Sequence, residues 1–367
     1  MTIHHPGAAD DARLAQELAA EAGRRLLDLR GRHGTGGSAG AATLRDAGDR
    51  LAHEYITAEL ARRRPSDAVL SEEGRGARGR ARSTDPGRMT ADRVWIVDPL
   101  DGTREFGEPG RTDWAVHVAL WERRPPAGRS GAGSGPEPGA RAGGPAGRSG
   151  AGAGSGPEPR ARAGAPAGDL AAGEKAGGEK AGGELTAGAV ALPALGVTWS
   201  TLGPGRPTSV GPPGVPDRPT RLAGPGVPDG APDGGRPTAG GGARKPFRIV
   251  VSRTRRPEIA ETLTVRLGAE LVPLGSAGAK VAAVLAGDAD AYVHAGGFYE
   301  WDTAAPVAVA RAAGFHASRL DGGPLLFNRE DVWMPDILVC PSALARTLLD
   351  AIAAARSGDV PHDPAIG

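Results

Sequence analysis

The run V-W-I-V-D-P-L-D-G-T-R-E-F-G-E-P-G-R-T-D-W-A-V-H-V-A-L, from Val94 to Leu120, decides how the rest of this chain is read. Val94 to Val97 is a short apolar strand that ends on two carboxylates, Asp98 and Asp101. The strand then breaks at Gly102-Thr103, where a helix or tight turn can begin. Short, hard oxygen ligands suit Mg²⁺. Backbone N–H groups of a Gly-Thr turn opening a helix can hold a phosphate oxygen. Pro99 fixes the turn, so the D-x-x-D spacing can place both carboxylates on one ion, although the same residues also suit a plain Asx-type turn. After a turn at Pro109-Gly110, Asp113 to Leu120 reads as a strand buried on both faces.

Upstream, Leu14, Leu18, Leu26, Leu27 and Leu29 recur mainly at helical spacing between Asp10 and Arg30, and a Gly-rich patch, Gly31 to Gly40, ends that helix. A second helix is expected over Asp46 to Arg63, with Leu51, Tyr55, Ile56 and Leu60 on one face and Pro65 closing it. The short strand Ala68 to Ser71 stops at Glu72-Glu73-Gly74. Two strands therefore deliver acids at one edge, which points to a site rather than a surface.

Downstream, composition changes at Arg123. Pro126 to Gly143 recurs almost verbatim from Pro145 to Gly164, and a second Pro/Gly tract repeats G-V-P-D. Such tracts carry too few branched or aromatic side chains to offset an ordering cost of about 1–2 kcal/mol per residue. Residues 123–183 and 203–244 are accordingly read as disordered insertions, and 358–367 as a flexible tail. Between the tracts, Glu184 to Pro193 and Gly196 to Ser200 form a hairpin that continues the sheet. The ordered halves are then 1–122 with 184–202, and 245–357. In the second half, strands at Phe247–Val251, Glu270–Leu274 and Ala291–His294 alternate with helices at Pro257–Leu267, Ala277–Ala286 and Ala304–Ala313. Short strands near Phe315, Leu325 and Ile337 and a last helix, Pro341 to Ala355, complete an α/β layer.

The bulk numbers narrow the classes. With 59 Gly and 33 Pro in 367 residues, part of the chain has to be uncondensed. A net charge of +1 argues against a surface built for nucleic acid. The single cysteine, Cys340, leaves no intramolecular disulfide and suits a reducing compartment. No apolar run nears the roughly 20 residues of a membrane span, and the first ten residues lack a signal-peptide pattern. A soluble, cytoplasmic protein is the expectation.

Glu72, Asp98, Asp101 and Asp302 form the acid set. Each has a plainer reading: Glu72-Glu73 as a solvated loop pair, and Asp302 as the cap of the helix that begins at Trp301-Asp302-Thr303. Ser276 and Lys280 flank a helix start that could hold an anion or be an ordinary cap with a surface lysine. His117 and His294 read as packed or hydrogen-bonded rather than catalytic, and Trp95, Trp114, Trp199 and Trp333 as core.

Taken in order, Asp49, Glu72-Glu73, D-P-L-D-G-T at Asp98 to Thr103 and W-D-T-A-A at Trp301 to Ala305 resemble the metal-dependent phosphatases of the inositol monophosphatase superfamily. D-P-L-D-G-T-R-E-F, G-S-A-G-A-K at Gly275 to Lys280 and E-W-D at Glu300 to Asp302 look most like its CysQ-type 3′-phosphoadenosine 5′-phosphate phosphatases. The resemblance covers roughly residues 10–122, 184–202 and 245–355, and the repetitive tracts have no counterpart in it. It implies an αβαβα five-layer sandwich of the inositol monophosphatase and fructose-1,6-bisphosphatase type. By the same resemblance, Glu72, Asp98, the carbonyl of Leu100, Asp101 and Asp302 would hold two or three Mg²⁺ ions, with Mn²⁺ a substitute. The ions would acidify a water and neutralise charge on the phosphoryl oxygens.

Thr103 and Asp49 would orient and deprotonate that water, with Glu72 joining the catalytic set. Gly102, Thr103 and Arg104 would cradle the phosphate at the metal site, next to Asp302. Ser276 and Lys280 would meet a second phosphate, with Ser252-Arg253 and Tyr299-Glu300 toward the nucleotide end. Arg45 stands where many members have a lysine. The implied partner is a small phosphorylated nucleotide, not nucleic acid or membrane; a homodimer is left open. Inositol 1-phosphate and fructose 1,6-bisphosphate are the alternative substrates. A non-catalytic polyanion-binding protein is the alternative class. Against it, residues 123–184 carry nine basic and six acidic residues and 203–246 carry six and three, so each net charge of +3 is diluted and unaccompanied by aromatics.

Overall fold

The structure is a computed structural model that describes residues 7–33, 37–74, 86–124, 182–203, 205–209 and 246–357. Of the tracts read as disordered, 125–181, 204 and 210–244 lie outside the described residues, as does the tail 358–367. The described residues up to 124 and from 183 onward belong to one unit.

Two long helices open it, α1 (Ala8–His33) and α2 (Gly37–Arg63). A six-stranded sheet follows: β1 (Ala68–Ser71), β2 (Arg93–Asp101), a short helix α3 (Thr103–Gly107), β3 (Ala115–Arg123), β4 (Gly183–Leu192), β5 (Val197–Ser200) and β6 (Thr208–Ser209), paired in that order. β1 runs parallel to β2 and the rest are antiparallel. The second sheet takes β7 (Phe247–Ser252), β8 (Ala269–Leu274), β9 (Ala291–Tyr299), β10 (Phe315–Ser318) and β11 (Trp333–Pro341), in the order β10-β11-β9-β7-β8. Its helices are α4 (Glu258–Leu267), α5 (Ala277–Leu285), α6 (Glu300–Ala312) and α7 (Ala345–Arg356).

Period-2 alternation sorts the apolar residues between layers. On β2, Trp95 and Val97 pack toward α1 and α2, while Val94 and Ile96 pack toward α5 and α6. β3 does the same, with Val116, Val118 and Leu120 on one side and Ala115 and Ala119 on the other. In the second sheet Val250, Tyr292, Ile337 and Val339 face α5 and α6. Ile249, Val251, Ala291, Val293, Leu338 and Cys340 face α4 and α7. The layers thus run α1/α2, sheet, α5/α6, sheet, α4/α7, which is the αβαβα sandwich the sequence resembles. Among the described residues no helix is long and apolar enough to cross a membrane.

Several boundaries differ from the sequence reading. α2 starts at Gly37, inside the Gly-rich patch, because packing against α1 and the sheet supports a helix that its local sequence does not favour. No strand forms near Leu325: the residue is buried, but it anchors an irregular loop and needs no ladder to do so. Trp333, assigned to the core, is 42% exposed at the start of β11. The last helix begins at Ala345, since Pro341 still ends β11 and Ser342–Leu344 make a 3-10 turn. The first sheet also reaches into the second tract, where β6 pairs with β5.

Candidate active site

A regular strand would point residues 98 and 101 to opposite faces. The β2–β3 ladder instead slips between the pairs Asp98–His117 and Asp101–Ala115, and that bulge lets both carboxylates gather on one side. Asp302, from the first turn of α6, completes the group: Asp98, Asp101 and Asp302 each offer an oxygen within 4.8 Å of the others. Three elements hold them. Asp98 Oδ1 accepts the Leu100 N–H at 3.1 Å, Asp101 Oδ2 the Gly278 N–H at 3.0 Å, and Asp302 Oδ2 the Tyr299 N–H at 2.6 Å. Asp302 is therefore not the cap residue of α6, which begins at Glu300; it reaches back to the backbone of Tyr299, the residue before the helix.

The electrostatics of this group are unfavourable as it stands. Burial, then Glu72, Asp101 and Asp302, hold the Asp98 carboxyl well above the usual carboxylate range. Burial, followed by Asp101 and Glu72, pushes Asp302 up to about 8. Asp98 Oδ2 is buried and makes no hydrogen bond. An orphaned, buried carboxylate oxygen beside two other acids fits a cation and little else. Glu72, at the end of β1, lies outside the 4.8 Å group, yet its charge reaches both Asp98 and Asp302. The Thr103 hydroxyl donates to the Leu100 carbonyl at 2.9 Å and lies 3.4 Å from Asp49 Oδ1 on α2. Burial, with Glu73 next, raises the Asp49 carboxyl to about 7.

This arrangement has relatives. The inositol monophosphatase family model matches residues 9–128 and 245–358. The chain belongs to the inositol monophosphatase family. It is 39% identical over 93% of its length to a 3′-phosphoadenosine 5′-phosphate phosphatase of Mycobacterium leprae, 93% of which is covered. A Mycobacterium tuberculosis protein of the same description is 38% identical over 85% of this chain and 82% of its own. The crystal structure of CysQ from Bacteroides thetaiotaomicron, a bacterial member of the family, superposes with a TM-score of 0.56 at 24% identity, covering 90% of this chain and 97% of that one.

Gly102 adopts φ +83°, and a Cβ there would approach Ser276 Cβ at 3.1 Å, so the end of β2 meets the start of α5 only through a glycine. Arg104 is exposed on α3. Ser276 is the N-cap of α5, its hydroxyl accepting the Ala279 N–H at 2.8 Å. Lys280 is buried; its Nζ donates to the Gly275 carbonyl at 2.6 Å and lies 5.3 Å from the centre of the Tyr292 ring. Burial holds this ammonium below its usual value, opposed by Asp101, Glu105, Asp302 and Asp113. Both polar groups are thus engaged inside the protein. Arg253 is committed to Glu105 at 2.7 Å and Glu108 at 2.8 Å. The Glu300 carboxylate accepts the N–H groups of Asn328 and Arg329, and burial raises it to about 7.

Sequence reasoning missed the fasteners between β2–α3 and the second half. Asp113 accepts the Gly275 N–H at 2.7 Å, and Glu105 pairs with Arg253. The spacing of Glu105 and Glu108, three residues apart across the end of a short helix, was the available signal. His117, expected to be packed or hydrogen-bonded, is fully buried, with Nδ1 3.3 Å from the Trp301 carbonyl and Nε2 3.3 Å from Asp101 Oδ2. The close fit of α5 gives a direct test. A Cβ on Gly278 would sit 2.3 Å from His117 Nε2, 2.8 Å from Val190 Cγ1 and 2.9 Å from Ala115 Cβ, all on buried strands. Gly278→Ala is expected to destabilise the chain by about 1–3 kcal/mol and to withdraw the amide from Asp101. A thermal melt unchanged from the parent would contradict this packing.

Proposed function

We propose that this chain is a Mg²⁺-dependent phosphomonoesterase that converts 3′-phosphoadenosine 5′-phosphate to AMP and phosphate. The observation that carries the chemistry is the buried group of Asp98, Asp101 and Asp302, with one Asp98 oxygen left without a hydrogen bond. The substrate is supported by the 38–39% identity to proteins that bear that description. Asp98, Asp101 and Asp302, with Glu72 and the Leu100 carbonyl beside them, would hold two or three ions, Mg²⁺ or in its place Mn²⁺. When bound, the cations supply charge neutralisation for the phosphoryl oxygens and the leaving alkoxide.

The remaining work falls to protein groups. Thr103, fixed by its bond to the Leu100 carbonyl, orients the attacking water. Asp49, raised to about 7, accepts a proton at Oδ1 through that hydroxyl near neutral pH. Gly102 and Thr103, opening α3, lie at the Asp101 end of the group, and Arg104 adds an exposed cation for a substrate phosphate. At the start of α5, the buried Lys280 ammonium, held on the Gly275 carbonyl, offsets the charge of the acids. Sulfated forms of the nucleotide fit the same chemistry.

A kinetic panel decides the substrate. With 3′-phosphoadenosine 5′-phosphate, inositol 1-phosphate and fructose 1,6-bisphosphate assayed with and without chelator, kcat/KM should be highest for the nucleotide and fall to background when metal is removed. A clear preference for either other substrate refutes the nucleotide assignment. Turnover that survives chelation refutes the metal site.

A further inference from the structure

Deepening the metal-site reading above, on which it rests, we infer that His117 is a positioning residue that fixes the acids of the two halves at their working separation. His117 is fully buried in the run A-V-H-V-A-L, where its same-face neighbours on β3 are Ala115 and Ala119. Burying an imidazole among apolar residues is costly unless polar partners compensate it. The partners here are the site itself. In the β2–β3 ladder His117 stands opposite Asp98. Its Nε2, which makes no hydrogen bond, lies 3.3 Å from Asp101 Oδ2. Nδ1 lies 3.3 Å from the carbonyl of Trp301, the residue before Asp302.

One ring thus touches the strand that carries Asp98 and Asp101 and the helix turn that carries Asp302. Those acids are about two hundred residues apart in sequence and repel one another, so nothing local keeps them together. Gly278 explains why the ring cannot drift: α5 presses against Nε2 closely enough that even a methyl group would collide with it. Asp101 Oδ2 also accepts the Gly278 N–H at 3.0 Å. A group that orients a ligand without binding the metal typically changes metal affinity by 10- to 100-fold when removed.

The test uses the full chain and Mg²⁺ itself. Metal-free His117→Phe, His117→Gln, His117→Asn and Asp98→Asn are compared with the parent by Mg²⁺ titration calorimetry, by the Mg²⁺-induced rise in Tm, and by kcat and KM at saturating Mg²⁺. His117→Phe should weaken Mg²⁺ binding roughly tenfold or more, while KM for the nucleotide stays within about twofold. His117→Gln, whose amide reaches the Nε2 position, should recover most of the loss. His117→Asn, which reaches only the Nδ1 position, should not. Unchanged Mg²⁺ affinity in His117→Phe, or equal affinities for the Gln and Asn variants, would overturn the inference; the second comparison holds even if His117→Phe does not fold. Asp98→Asn separates the two readings. If it leaves Mg²⁺ binding intact, the metal site itself is misplaced and the inference falls with it. If it abolishes binding while His117→Phe does not, only the role of His117 is lost.

Discussion

Asp98→Asn is expected to lower kcat by about a thousandfold or more, roughly 4 kcal/mol of lost transition-state stabilisation, with Tm of the metal-free chain unchanged or higher. The carboxamide keeps the shape of the side chain, and its oxygen can still accept the Leu100 N–H now bound by Asp98 Oδ1. What disappears is one charge from a buried group of mutually repelling acids. Removing that charge destroys the ligand set and relieves the fold at the same time, which is the usual trade at a strained functional site. Circular dichroism, a melt and a turnover assay on one preparation suffice. Full activity in the variant would place the metal elsewhere, and a collapsed Tm would show that Asp98 is structural.

The metal-free chain should also lose stability as pH rises from 6.5 to 8.5, and Mg²⁺ should restore it most at the alkaline end. Burial raises Asp49 and Glu300 to about 7 and Asp302 to about 8, and lifts Asp98 well above its ordinary value. A carboxyl whose folded pKa lies above its unfolded one binds more protons in the native state. Its contribution is complete below the unfolded value and is lost as pH climbs through the folded one. All four groups act in this direction, and each tenfold difference in proton affinity between the folded and unfolded chain is worth at most about 1.4 kcal/mol. His294, depressed by burial to about 3, acts in the opposite sense, but only below the unfolded histidine value near 6.5, outside this window. Lowered acids such as Glu21, near 2, matter only in stronger acid.

Mg²⁺ needs ionised ligands, so its binding releases protons and strengthens with pH. At a hundred times Kd it adds about 2.7 kcal/mol. Thermal melts across this pH range, with chelator and with Mg²⁺, check the claim. A chelated Tm that holds level or rises between 6.5 and 8.5 would contradict it.

Much of this architecture was legible because its signals are local. The alternation in V-W-I-V and in A-V-H-V-A-L assigns side chains to opposite faces, and the core residues of β2 and β3 divide as that alternation requires. Strand and helix order in the second half was readable for the same reason. Helix starts were less so. α2 and α6 begin earlier than their propensities suggest, since neighbouring layers stabilise turns that the sequence alone would leave frayed.

In the site, the acids could be nominated from D-P-L-D-G-T and W-D-T-A-A, but their grouping could not be derived from spacing. It depends on a ladder slip between Asp98 and Asp101 and on where α6 lands against the first sheet. Lys280 illustrates the limit. Its sequence position fits a surface anion contact, yet the helix turns it inward to the Gly275 carbonyl, because α5 lies between two sheets rather than on the outside.

By itself, then, the sequence determined which residues are available for a phosphoester chemistry and on which kinds of element they stand, because those properties follow from residue type and from periods of 2 and 3.6. Only the tertiary structure decided which acids share one buried space, that Asp98 keeps an oxygen with no hydrogen bond, and that His117 lies between Asp101 and the turn bearing Asp302. Those are distances between residues remote in the chain. They are set by how layers pack, and no local pattern encodes them.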